Sequence, residues 1–158
     1  EIAQCLVGSE MCIRDSDGTF EKYIDGGMYP EYVTITPIED YNYVNENPDV
    51  IVFQYPYDNY NSAGTTDPVF YSYNLASHTQ KLIYIPYFRT DEIDENDMRA
   101  YTNMDAYVTM PGVVYADKVI VQSEEIRKLY IEKLTDFFGE ESEDEWEDKI
   151  EAEDIGGI

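Results

Sequence analysis

The chain has 158 residues, 43% of them hydrophobic and 15% aromatic, a globular composition that excludes wholesale disorder. Its formal net charge is -24, from 34 carboxylates against ten lysines and arginines, and such a surface repels a phosphate backbone, which excludes nucleic acid as a partner. No run approaches the roughly 18 apolar residues of a membrane-spanning helix, so the expectation is a soluble protein of the cytoplasm.

Taken in chain order, the first feature is Cys5 to Ser16, CLVGSEMCIRDS. Leu6 to Asp15 resemble, codon for codon, the translation of a transposon-based short-read sequencing adapter. Residues 1–16 are therefore expected to carry no domain and to contribute nothing to the core. Both cysteines, Cys5 and Cys12, lie in this stretch. The remainder has no disulfide framework, no CxxC motif and no thiolate zinc site. Ile2 to Val7 lacks the basic start and the length of a signal peptide. About 142 residues remain from Asp17 on, enough for one domain with a core.

Tyr32–Ile35 reads as a weak strand stopped by Pro37. Asp49–Phe53 reads as a strong one, a β-branched run suited to a buried parallel strand. Thr66-Asp67-Pro68 is a helix start, and that helix is expected to run to about Ser77. Lys81–Pro86 is the next strand. The polar stretch Thr90–Asp97 leads into a helix reaching about Tyr115, interrupted by Pro111-Gly112. Lys118–Val121 is the fourth strand. Ser123 then caps a helix with Glu124 and Glu125 in its first turn, with a core stripe of Ile126, Leu129, Tyr130, Ile131 and Leu134, and Gly139 ends it. Glu140 to Asp154 carries ten carboxylates against one lysine, the pattern of a solvated helix face or a frayed end. Strand and helix in alternation predict an α/β fold with a parallel sheet and right-handed crossovers.

Ligands of such sheets bind at the carboxyl ends of the strands. After the strand at Phe53 come Tyr57, Asp58 and Asn61. Asp58 and Asn61 could hold hydroxyls of a polyol, Asp58 also as a base, with tyrosine rings as apolar walls. An ordered aromatic turn is the alternative reading. Tyr87 and Arg89 follow the next strand, and Arg89 could meet a phosphate. Ser123 stands at a helix N-terminus, where an anion or simple capping would fit equally. The acidic run is expected to lie away from this rim. His78, the sole histidine, sits near a predicted helix end and has no partner in sequence that would make it a base. No GxGxxG, P-loop, HExxH or GxSxG motif occurs, and no metal site is expected.

From Asp17 to about Ile150 an ordered series of motifs runs through the chain. It comprises NPDVI (47–51), PYDNYN (56–61), FYS (70–72), KLIYIPYF (81–88), PGVVYADKVIVQSE (111–124) and WEDKI (146–150). In this series the chain resembles the N-terminal part of the bacterial CDP-glycerol glycerophosphotransferase family, in a divergent clostridial group. The resemblance implies a Rossmann-like, acceptor-side domain over residues 17–150 of a two-domain GT-B transferase. Residues 151–158 then form a truncated or damaged end before a second, donor-binding domain. The implied reaction moves glycerol phosphate from CDP-glycerol to a hydroxyl of a teichoic-acid-like wall or surface polymer and releases CMP. CDP-glycerol is donor substrate rather than cofactor, and the acceptor is a polyol phosphate. Peripheral contact with the inner face of the membrane would come through parts not present. Two departures stand against the pattern. Tyr84 to Phe88 occupies the place of a WHGTPLK-like histidine motif, and EAEDIGGI stands where a GLGSPK-like segment is usual. The fragment alone is expected to be inactive. The second reading is a GT-B-like polyol- or glycan-binding or interaction module without chemistry.

Overall fold

In the computed structural model of the chain, residues 2–3, 41–60, 67–90, 93 and 97–153 are described. They form strands β1 (Ile2–Ala3), β2 (Val50–Phe53), β3 (Lys81–Tyr84), β4 (Lys118–Val121) and β5 (Ile150–Ala152). The helices are α1 (Tyr43–Glu46), α2 (Ser72–Ala76), α3 (Met98–Asn103), α4 (Asp105–Val108), α5 (Pro111–Tyr115), α6 (Glu124–Phe138) and α7 (Glu143–Lys149). The strands lie side by side in sequence order, and every neighbouring pair is parallel. The fold is therefore the expected α/β architecture, Rossmann-like in its parallel sheet and crossover helices. Tyr32–Ile35 lies outside the described residues.

Register and burial together show how the sheet is covered. Ile51 pairs with Leu82, Phe53 with Tyr84, Tyr84 with Val119 and Val119 with Ile150, so these side chains share one face. All of them are at most 1% exposed. Leu75 of α2, Val108 of α4, Val113 of α5 and Tyr130 and Leu134 of α6 pack on them in one core. Each such side chain contributes about 1.5–3 kcal/mol by leaving water. The opposite face carries Val50, Val52, Ile83, Lys118 and Ile120, all of intermediate burial, with Lys81 exposed. Sequential order explains the one-sidedness, since right-handed crossovers stepping in one direction all fall on one face. The continuous apolar run at 50–53 is thus buried on one side, not on both.

The helices depart from expectation in length. Pro68–Phe70 is a 3-10 turn capped by Asp67, and Tyr71 is extended, so the expected helix shrinks to α2. The long helix before Tyr115 is three short ones. Met110 is extended (ψ 153°) because the following proline disfavours helical backbone there. Pro111-Gly112 is also a docking point. Gly112 donates its N–H to the Pro56 carbonyl at 2.8 Å, and a Cβ at Gly112 would lie 2.5 Å from the Pro56 Cα. α6 follows expectation: Ser123 Oγ accepts from the Ile126 amide at 3.3 Å, and Gly139 ends the helix at φ +110°.

The acidic run is the solvated face of a helix, as one of the two readings had it, and not a frayed end. It folds into α7 and β5, with Trp146 3% exposed and Ile150 fully buried. Arg127 of α6 donates to the Ile150 carbonyl at 2.6 Å and to the Glu147 carbonyl at 2.8 Å, tying helix to strand. The sheet thus continues past residue 150, the expected domain boundary. Ile2–Ala3, within the segment set aside as carrying no domain, pairs in parallel with β2. Cys5 to Ser16 lie outside the described residues. No described helix is long and apolar enough to cross a membrane.

Candidate functional site

The loop leaving β2 turns inward. Tyr55, Pro56, Tyr57 and Asp58 are all buried, and Asp58 adopts a left-handed backbone (φ +49°). Its carboxylate accepts from the Ser72 amide at 2.9 Å through Oδ1 and from the Ser72 hydroxyl at 2.8 Å through Oδ2. Burial pushes its pKa up, and the two hydrogen bonds from Ser72 oppose that. The carboxylate suggested as a base is therefore engaged at both oxygens as a tie between the β2 loop and α2.

Tyr57 points toward the loop that follows β3. Its hydroxyl lies 3.3 Å from that of Tyr87. Tyr57 meets Tyr107 edge-on at 6.2 Å, and Phe88 packs on Tyr107 at 4.8 Å, so aromatic contacts join the β2 and β3 loops to α4. Burial, then the Tyr87 contact, holds the Tyr57 phenol well above the usual tyrosine range. The β3 and β4 ends are joined by an amide pair. The Thr90 amide donates to Gln122 Oε1 at 3.0 Å, and Gln122 Nε2 donates back to the Thr90 carbonyl at 2.5 Å. A side-chain amide here replaces a backbone one and extends the pairing beyond the strands.

These loops frame a cleft of about 170 Å³ at the carboxyl ends of β2, β3 and β4. Gln54, Tyr87, Arg89, Gln122 and Tyr130 supply its polar lining, and Met104, Val121 and Ile126 belong to its apolar part. Among the described lining residues there is no carboxylate and no imidazole. Tyr84 is fully buried nearby. Its hydroxyl is buried without a partner in hydrogen-bonding geometry, and burial, then the neighbouring Tyr130 phenol, raises its pKa. Burial raises both phenols, so they stay protonated at neutral pH and can only be neutral donors or acceptors.

Of the residues singled out in the sequence, Tyr87 and Arg89 line the cleft, and Tyr57 reaches it through the Tyr87 hydroxyl. Ser123 is next to Gln122 but spends its hydroxyl on capping α6. Asp58 faces Ser72 instead, and Asn61 lies outside the described residues. Tyr130 is an addition, and Gln54 and Gln122, each following the last residue of a strand, join the site from the strand-end segments. His78 follows the C-terminal end of α2 with Nδ1 2.9 Å from the Asn74 carbonyl and its ring edge-on to Tyr43, a packed position away from the cleft lining. No group of three or more metal-ligating side chains is gathered among the described residues. Among the described lining residues there is none from the acidic run. Compared with known proteins, the chain matches no family model, no curated protein and no solved structure.

Proposed function

We propose that the chain is the acceptor-side part of a transferase that moves glycerol phosphate from CDP-glycerol to a hydroxyl of a teichoic-acid-like polymer, at the cytoplasmic face of the membrane. The observation that carries this reading is the charge of the cleft. In a chain of net charge -24, Arg89 is placed in the lining of the carboxyl-end cleft. A guanidinium there offers a phosphate a bidentate partner. Arg89 would take the phosphate of the acceptor, Tyr87 and Tyr57 its carbon skeleton, and Gln54 and Gln122 its hydroxyls. The motif series from Asn47 to Ile150 supports the same reading.

Calorimetric titration tests it. sn-Glycerol 3-phosphate should bind more tightly than glycerol, and Arg89→Gln should remove the difference. Equal affinity for the two ligands would overturn the reading. A second reading, a polyol- or glycan-binding module without chemistry, is favoured by one observation. The described lining offers no general base, and both Asp58 oxygens are engaged by Ser72. A longer protein that carries the downstream half and turns over CDP-glycerol decides for the transferase, and one that binds glycerol phosphate without turnover decides for the module.

A further inference from the structure

A different face of α6 borders a second concavity. A groove between α6 and α7 is lined by Ile131, Glu132, Thr135, Asp136, Glu143 and Glu147, with Arg127 and Lys128 at the start of α6. It shares no residue with the cleft, to which α6 gives Ile126 and Tyr130. From Glu132 to Asp148 there are nine carboxylates and one lysine, and that lysine, Lys133, is spent on Asp105 at 2.7 Å. Arg127 is likewise committed to the carbonyls of Ile150 and Glu147, which leaves the exposed Lys128 as the remaining cation of the described lining, against four carboxylates.

Two features of this face are not explained by solvation. α6 ends in Phe137 and Phe138, 66% and 42% exposed. Their rings pack on each other at 4.9 Å, and Phe138 packs on the buried Trp146 of α7 at 5.3 Å, so the pair is held in place on a rigid base. Exposed aromatic side chains fixed in this way are what interface anchors look like before a partner covers them. The second feature is the Thr135 hydroxyl, whose oxygen is buried beside the groove without a hydrogen-bond partner.

We propose that the α6–α7 face docks a basic segment of a partner polypeptide that brings an apolar side chain onto Phe137 and Phe138 and lysines or arginines onto Glu132, Asp136, Glu143 and Glu147. Charge selects this occupant. A second copy of the chain, with its own net charge of -24, is repelled, as are nucleic acid and anionic lipid. The carboxylates steer the partner and set its orientation, and the phenylalanines supply the contact area.

The sole tryptophan, Trp146, reports the encounter because Phe138 lies against it. The full chain is titrated with an amphipathic Lys/Leu peptide, with a Lys/Gly peptide of equal charge and with a Glu/Leu peptide, following Trp146 fluorescence and heat. The Lys/Leu peptide should bind, more weakly as salt rises, and the other two should bind at least about tenfold more weakly. Phe137→Ser with Phe138→Ser should cost at least about tenfold in affinity, and Glu143→Lys with Glu147→Lys should remove the salt dependence. Should the double phenylalanine variant fail to fold, Phe137→Ser alone, at the more exposed position, carries the test. Absence of Lys/Leu binding overturns the proposal. So does equal binding of the Lys/Gly peptide with no effect of the phenylalanine substitutions, which is attraction to a polyanion and nothing more.

Discussion

Two faces of one helix carry opposite chemistry. Toward the cleft, α6 presents Ile126 and Tyr130, which among the described lining residues stand with amides, phenols and Arg89. Toward α7 it presents Glu132 and Asp136 among further carboxylates. The net charge is thus segregated by fold. Amphipathic patterning usually separates apolar from polar, and here a second division separates neutral polar from anionic. Both faces hang on the same buried stripe of Ile126, Tyr130, Ile131 and Leu134, so neither is a loose appendage.

The largest expected effect tests whether the acidic side is part of the core. Trp146→Ala removes a side chain 3% exposed that packs against Phe138 and donates to Ser142 Oγ at 2.8 Å. It should cost about 3–5 kcal/mol in urea unfolding. A loss below about 1 kcal/mol would make α7 the solvated end that its composition suggests.

On the cleft side, Gly112→Ala places a methyl 2.5 Å from Pro56 Cα, backbone that cannot swing aside. About 1–3 kcal/mol of destabilisation is expected, with the β2 loop displaced. Thermal melts and amide shifts of Tyr57 and Asp58 read both. If the melting temperature holds, α5 is not anchoring that loop.

Asp58 sharpens the comparison through pH. Its folded pKa is raised by burial, so the native state holds the proton more tightly than the unfolded chain. The stability this group contributes is complete below the unfolded value near pH 4 and is lost as pH rises through the folded value. Asp58→Asn mimics the protonated form and suits a left-handed backbone, so the wild type should lose ground to it as pH rises from about 4. Asp58→Ala should cost about 1–3 kcal/mol at any pH by leaving the Ser72 amide and hydroxyl unpaired. A wild type that gains on Asp58→Asn with rising pH would show that the Ser72 bonds outweigh burial.

The smallest effect belongs to the exposed ion pair of Lys118 and Glu151 on the strand edge. Glu151→Gln should change stability by no more than about 1 kcal/mol, and salt should erase the difference. An effect that survives high salt would mean that β5 is held by charge instead of by Ile150.

The three central strands were legible because β-branched runs bounded by proline or aspartate specify them locally. β5 was not. Ile150 is its one large apolar residue within a run of carboxylates, and only parallel pairing with Val119 makes it a strand. The cleft was half legible for a similar reason. Tyr87 and Arg89 follow a strand end, so position alone found them. Asp58 was noted as a hydrogen-bonding residue, but its partner Ser72 is 14 residues away, a contact that no local pattern carries. Tyr130 was assigned to the core stripe of α6, and a helix stripe does not say which of its members will border a cavity.

The sequential order of the strands bears on how the chain folds. Val50 pairs with Lys81, Ile83 with Lys118 and Val119 with Ile150, sequence separations of 31, 35 and 31 residues. Closing loops so nearly equal costs almost the same entropy. Among β2 to β5, topology therefore does not choose which pair of strands forms first, and local apolar strength does. β2 with β3, bringing together Ile51, Leu82, Phe53 and Tyr84, has the advantage, and of β2 to β5 it is β5, with its single large apolar residue, that should join last. Native-state hydrogen exchange should then release the amides of β5 before those of β2 and β3.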